Sequence, residues 1–153
     1  MNTHMKTPVD PSYSSCEQCS TSLWILSPST TPDVWTKQLG IQPSQENYKG
    51  SSKTNSLGRT RIIKTNGWFL ESEGKVHSKD LRDHLDFILE IAHPKQDVLL
   101  SLQGEKHLLM GITCSWWGAM HCGPTLWPRQ LQKIAELNLE LEFMFASYTD
   151  EIS

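Results

Sequence analysis

The alternation of strand-like and helix-like segments predicts an α+β fold, a two-layer sandwich with a mixed sheet. Its core is a split β-α-β (ferredoxin-like) unit, extended by one added helix and strand. Three observations carry this. Period-2 alternation appears around residues 106–117 and 139–145, and helical spacing around 81–92. The predicted order is β-α-β-β-α-β-α-β, whose first six elements match the split unit. Finally, a nine-residue phrase occurs twice, each time after an apolar run and before a helical one. Thr31-Pro32-Asp33-Val34-Trp35-Thr36-Lys37-Gln38-Leu39 reads against Gly123-Pro124-Thr125-Leu126-Trp127-Pro128-Arg129-Gln130-Leu131, with proline, tryptophan, glutamine and leucine at the same offsets.

Residues 1–20 read as a flexible N-terminal tail, with Pro8, Pro11, many small polar residues and no periodicity. Residues 21–153 read as a single domain. Its first strand is Ser22-Leu23-Trp24-Ile25-Leu26, short and almost wholly apolar. Pro32 suits the first turn of the following helix, where its missing N–H has no partner to lose. That helix runs to Leu39, and Gly40 can take the left-handed conformation that ends it. A short strand falls within residues 41–49. Residues 50–66 are the most loop-like interior stretch, and Asn66-Gly67 leads into the strand 67–72.

The central helix is amphipathic. Leu81, Leu85, Ile88 and Ala92 form its apolar stripe, and Lys79, Arg82, Asp83, Asp86 and Glu90 its polar side, with Ser78 as the cap. Pro94 ends or kinks it, and Val98, Leu99 and Leu102 suggest a further helical turn or two. The next strand, 106–117, alternates Leu108, Met110, Ile112, Cys114 and Trp116 on one face. The second copy of the repeated phrase opens a helix ending near Asn138. The last strand sets Leu139, Leu141, Phe143 and Phe145 against Glu140, Glu142 and Met144. In both copies of the phrase, Trp and Leu four residues apart are expected to pack on the sheet.

With 153 residues, 37% of them hydrophobic and 20% charged, the chain can build its own core without disulfide or metal. A formal charge of −3 does not demand a highly charged partner. No apolar run reaches the length of a bilayer span, and residues 1–22 lack a signal pattern, so the expected location is the cytoplasm and no membrane is involved. Cys16, Cys19, Cys114 and Cys122 are then expected to be reduced.

The candidate sites are few. Cys16-x-x-Cys19 has zinc-ligand spacing, and Cys114, His121 and Cys122 could complete a set. Against this, Cys114 lies on an apolar strand face, where a thiol behaves as a small hydrophobe. His121 and Cys122 are adjacent in a turn and poorly placed to act as base and nucleophile. The expectation is no metal, no cofactor and no catalytic residue. His84 borders the apolar stripe of the central helix. Lys49, Lys53, Arg59, Arg61 and Lys64 crowd a Gly/Ser-rich loop, which is either a solvated hairpin or an anion cradle. Trp68 is core, or a stacking platform beside that loop. Trp117 alternates away from Trp116 before a turn and is a candidate exposed anchor.

The order of short motifs resembles a known bacterial family. It runs through Thr31–Pro43, Tyr48-Lys49-Gly50, the basic loop, Asn66-Gly67-Trp68-Phe69-Leu70-Glu71-Ser72, Asp83-His84-Leu85 and Leu137-Asn138-Leu139-Glu140-Leu141-Glu142-Phe143. This pattern is similar to the domain of unknown function 4279, from about Ser22 to Tyr148, and leaves out the Cys16/Cys19 pair. The resemblance implies a small α+β domain with no catalytic residues to carry over. Small stand-alone bacterial domains are often immunity proteins or antitoxins, an association rather than a derivation. The expected function is therefore a non-enzymatic protein-binding module, an immunity protein that neutralises a cognate protein toxin. Arg59, Arg61, Lys64, Trp117, Glu140 and Glu142 are its candidate contacts. The alternatives are an anion, nucleotide or nucleic-acid binder acting through residues 49–64, and a zinc or thiol enzyme.

Overall fold

The structure is a computed structural model that describes residues 6–119 and 121–147. Positions 1–5 of the expected tail and 148–153 of the expected domain lie outside the described residues. The elements are β1 (Cys16–Ser27), α1 (Pro32–Leu39), β2 (Gln45–Asn47), β3 (Ser52–Thr54), β4 (Thr60–Ile62), β5 (Asn66–Glu71), α2 (Leu81–Ala92), a 3-10 turn (His93–Lys95), α3 (Gln96–Leu102), β6 (Leu109–Gly118), α4 (Pro128–Glu136) and β7 (Glu140–Ser147).

The main sheet has the order β2-β5-β1-β6-β7. β1 is antiparallel to both β5 and β6, and β2 is antiparallel to β5. Those four strands are the predicted split β-α-β core. α4 then carries the chain over to β7, which lies parallel to β6 and makes the sheet mixed. β3 and β4 pair with each other as a separate hairpin. Residues 50–66, expected as a loop, thus contain two short strands.

One side of the sheet carries the core. Leu23, Ile25, Trp68, Leu70, Ile112, Cys114 and Trp116 on the strands meet Trp35 and Leu39 of α1, the apolar stripe of α2, Leu99 and Ile134. Trp68 is fully buried and its indole N–H donates to the Thr36 hydroxyl (3.0 Å), fixing α1 to β5. Trp68 is therefore core, and no base could stack on it.

Several expectations at the N-terminal side are corrected. β1 begins at Cys16, so residues 16–20 are strand rather than tail. The reason they read as tail is a register shift between Cys16 and Gln18. That bulge puts Cys16 and Cys19, three residues apart, on the same buried face and breaks the alternation a sequence reader looks for. Residues 7–13 are tied to the body. Arg82, expected on the solvent side of α2, is 2% exposed. All five of its guanidinium N–H groups find acceptors. Nε and Nη2 donate to the Asp80 carboxylate (3.0 and 2.7 Å), Nη1 to the Thr7 carbonyl and hydroxyl (2.8 and 2.9 Å), and Nη2 to the Pro8 carbonyl (2.9 Å). The backbone N–H of Asp10 donates to Asp80 and that of Lys79 to the Pro11 carbonyl.

Asp80, rather than Ser78, caps α2, accepting the Arg82 N–H (3.0 Å), while the Ser78 hydroxyl accepts from the Asp80 N–H. Burial works against the Asp80 carboxylate, but the hydrogen bonds from Arg82 and Asp10 outweigh it and hold the pKa below the ordinary value.

The two copies of the repeated phrase are not equivalent. In the first, Pro32 opens α1, and Trp35 and Leu39 are buried. In the second, the helix starts one turn later, at Pro128, with Trp127 as its N-cap residue. The Trp127 ring lies under two guanidinium groups, those of Arg82 (4.9 Å) and Arg129 (4.7 Å), and its N–H reaches the Thr7 carbonyl. Leu131 is exposed. The difference traces to Pro128, which has no counterpart in the first copy (Thr36) and is itself a favoured first helical residue.

Candidate functional site

Among the described residues the helices pack on one side of the sheet, and its other side is free of them. The register lays out what that open face presents. One cross-strand row is Gln45, Phe69, Trp24, Gly111 and Glu140; the next is Glu71, Ser22, Thr113 and Glu142. Then come Ser20, Ser115 and Met144, and finally Gln18, Trp117 and Ala146. A wall of aromatic rings at Phe69 and Trp24 thus faces Trp117 across a floor of small hydroxyl residues, with carboxylates at both margins. The groove beside Trp117, about 230 Å³, is lined by Gln18, Ser20, Ser115, Trp117 and Met144 among others.

The wall is built by local chemistry. The Trp24 indole N–H donates to the Thr113 hydroxyl (2.9 Å), which lays the ring across Gly111. A Cβ at Gly111 would sit 2.6 Å from that ring and 2.9 Å from the Glu140 side chain. Glycine is required there by close approach rather than by backbone conformation. Trp24 and Phe69 remain half-buried, as does Trp117. Trp117 is therefore on the open face as its alternation predicted, but it is only partly exposed.

The structure brings together Trp117, Glu140 and Glu142 on the open face of β6 and β7. Arg59, Arg61 and Lys64 lie on the opposite flank of the sheet, in and just after the β3–β4 hairpin. That hairpin leans over Leu26, and a cleft of about 500 Å³ lined by Leu26, Asn47, Arg61, Ile62 and Lys64 separates the two. Lys53 and Arg61 are direct cross-strand partners. Like charges so placed repel. Among the described residues the ion pairs are Arg82–Asp80, His93–Glu136 and Arg129–Asp86, so none neutralises the hairpin.

The thiols are not assembled into a four-ligand set. Cys16, Cys19 and Cys114 are buried on the helix side, whereas Cys122 is exposed in the turn after β6. Burial pushes Cys114 up to about 11, and burial together with the neighbouring Cys16 raises Cys19. Such thiols are poor nucleophiles at neutral pH. Among the described residues no group of three or more His, Cys, Asp or Glu is placed to hold a metal ion. No helix among them is long and apolar enough to cross a membrane.

His84 lies deeper than its position at the edge of the stripe suggested, at 2% exposure. Nε2 faces the Ser78 carbonyl (2.7 Å), an acceptor only, so Nε2 carries the ring proton. Nδ1 then accepts from the Ser72 hydroxyl (2.7 Å), whose oxygen in turn accepts the Thr21 N–H (2.8 Å). Ser72 is fully buried, so this Ser–His contact is a tie between β1, β5 and α2; His84 also borders a cleft of about 220 Å³ lined by Cys19, His77, Ser78 and Lys79 among others. Desolvation lowers the His84 pKa from its usual 6.5. The sign follows: below pH 6.5 the unfolded chain takes up a proton that the folded chain refuses, so stability falls as pH drops from there toward the folded value. Urea unfolding at about pH 7.5 and about pH 5 is expected to show a larger loss for the wild type than for His84→Gln. Equal losses would remove His84 as the cause.

Trp24 and Phe69 were missed as surface residues. The run Ser22–Leu26 reads as buried on both faces, because nothing local shows that every helix packs on the same side. The signal available was the absence of any surplus helix to cover a second face.

The model of the family DUF4279, a domain of unknown function, matches residues 17–148. No curated protein and no solved structure matches the chain.

Proposed function

We propose that the chain, which belongs to the DUF4279 family, is a non-enzymatic protein-binding module that uses the open face of its sheet. The finer form of the proposal is an immunity protein that neutralises a cognate toxin by direct binding. One observation supports it above the others. The helix-free face sets aromatic walls, Phe69 with Trp24 and then Trp117, around a floor of small hydroxyl residues, and carries Glu71, Glu140 and Glu142 at its margins. Half-buried aromatics are the common anchors of protein interfaces, and marginal carboxylates select and steer a basic partner.

The test is co-expression with the product of an adjacent toxin-like reading frame. Wild-type chain is expected to restore growth, and Trp117→Ala is expected to weaken binding by about thirtyfold, the loss of one anchor worth roughly 2 kcal/mol. Glu142→Lys should weaken it further in low salt. Failure of the wild type to rescue growth or to bind would sink the immunity reading.

A second reading, an anion binder acting through the β3–β4 hairpin, is favoured by the unneutralised Lys53–Arg61 pair. Retention on an anionic polymer that falls steeply with salt and disappears in Arg59→Ala/Arg61→Ala would put this reading in place of the first.

A further inference from the structure

The two edges of the sheet are finished differently. β2 is three residues long and leads at once into the hairpin. β7 spans eight residues and pairs with β6 without a register shift, and among the described residues its other edge has no strand partner. Its second half has none of the devices that protect an edge: no lysine, no proline, no bulge. Instead Phe143, Met144 and Phe145 are 39%, 57% and 62% exposed. Phe143 and Phe145 stack in parallel (5.7 Å, 7°), and Phe145 meets Trp116 edge-on (6.4 Å). This aromatic ladder lies on the helix side of the strand, while Met144 lies on the open side.

We infer that β7 pairs with β7 of a second copy, antiparallel about a two-fold axis at Met144, joining two sheets edge to edge. Self-complementarity argues for a second copy. A strand repeated antiparallel to itself satisfies both rows of free N–H and C=O groups through one isologous contact. A dyad normal to the sheet keeps the helices of both copies on one side, so a residue can oppose only residues of its own face. Charge then excludes some of the allowed registers, and the pairing of the rings chooses among the rest. A dyad at Leu141 or Glu142 sets glutamates against glutamates, which is unfavourable. A dyad at Met144 sets Met144 against Met144, Phe143 against Phe145 and Glu142 against Ala146. The two ring pairs become one continuous stack over both copies of Trp116, and the carboxylates stay at the outer ends of the seam. This pairing shares Met144 and Glu142 with the binding face proposed above but leaves Trp24, Phe69 and Trp117 on the open face of each copy.

The experiment is sedimentation equilibrium of the full chain across about 1–100 µM, a range suited to a weak contact of small area. A mass of twice 17.4 kDa is expected at the upper end. Met144→Glu places like charges directly opposite at the dyad and should raise the dissociation constant by at least about tenfold. Its urea midpoint at low concentration should match the wild type, since residue 144 is exposed in the single chain. Met144→Cys in a Cys122→Ser background should cross-link covalently to itself under mild oxidation, with Glu140→Cys in the same background as the negative control. A wild-type chain that stays monomeric throughout overturns the inference. So does a dimer indifferent to Met144→Glu, or one in which Met144→Cys fails to cross-link.

Discussion

Arg82→Met is expected to destabilise the fold by about 3–5 kcal/mol, as judged by urea unfolding at neutral pH. The size follows from what is left behind. Asp80 is 2% exposed, and its carboxylate would lose the cation it pairs with while remaining enclosed. The Pro8 carbonyl would lose its donor and the Thr7 carbonyl one of its two, keeping the Trp127 indole N–H, so the segment around them would be loosened from α2. Adding Asp80→Asn is expected to recover part of the loss. Asparagine removes the stranded charge and keeps an oxygen for one of the two backbone N–H groups, since Arg82 donates to Oδ1 and Asp10 to Oδ2. A double variant no better than Arg82→Met would show that the guanidinium acts through packing on Trp127 rather than through charge. Limited proteolysis gives a second readout, since early cleavage near residues 7–10 should accompany the single variant.

Trp68→Ala is expected to cost a similar amount, about 3–5 kcal/mol, because it empties a fully buried site between β5 and α1. Trp68→Phe should cost less, roughly 1–2 kcal/mol, from the missing ring volume and the lost bond to Thr36. The Thr36 hydroxyl retains the Pro32 carbonyl and the Glu46 carboxylate as acceptors, so it is not stranded by the change. Thermal unfolding separates the two variants. If Trp68→Ala unfolded near the wild-type temperature, the indole could not be part of the core.

The order of elements, apart from the β3–β4 hairpin, followed from the sequence because its signals are local and periodic. Ile112, Cys114 and Trp116 alternate, the stripe of α2 repeats at helical spacing, and the order of such segments restricts the topology. What stayed hidden has non-local causes. The bulge near Cys16 removed the alternation that would have extended β1. Arg82 reads as a surface cation because nothing beside it in sequence announces that Thr7 and Pro8, more than seventy residues earlier, supply its acceptors. The repeated phrase suggested two like helix starts, yet Pro128 moves the second one by a turn and frees Trp127 to lie beneath two arginines. Of the candidate contacts, Trp117, Glu140 and Glu142 were placed by strand alternation, which is why they share a face. The arginines came from composition alone, which says nothing about position in space, and they fall on the opposite flank.

The central position of β1 in the sheet bears on how the chain comes to be folded. Its residues are synthesised early, yet its two neighbours are β5 and β6, with Cys16 paired to Gly118 and Ser27 to Asn66. A nascent chain therefore carries β1 until β5 emerges to pair with one of its edges, and for much longer before β6 emerges to pair with the other. Closing such distant pairs delays the rewarding contacts until β6 has emerged, so folding is expected to be slow for a domain of this size and to depend on protection of β1 in the meantime.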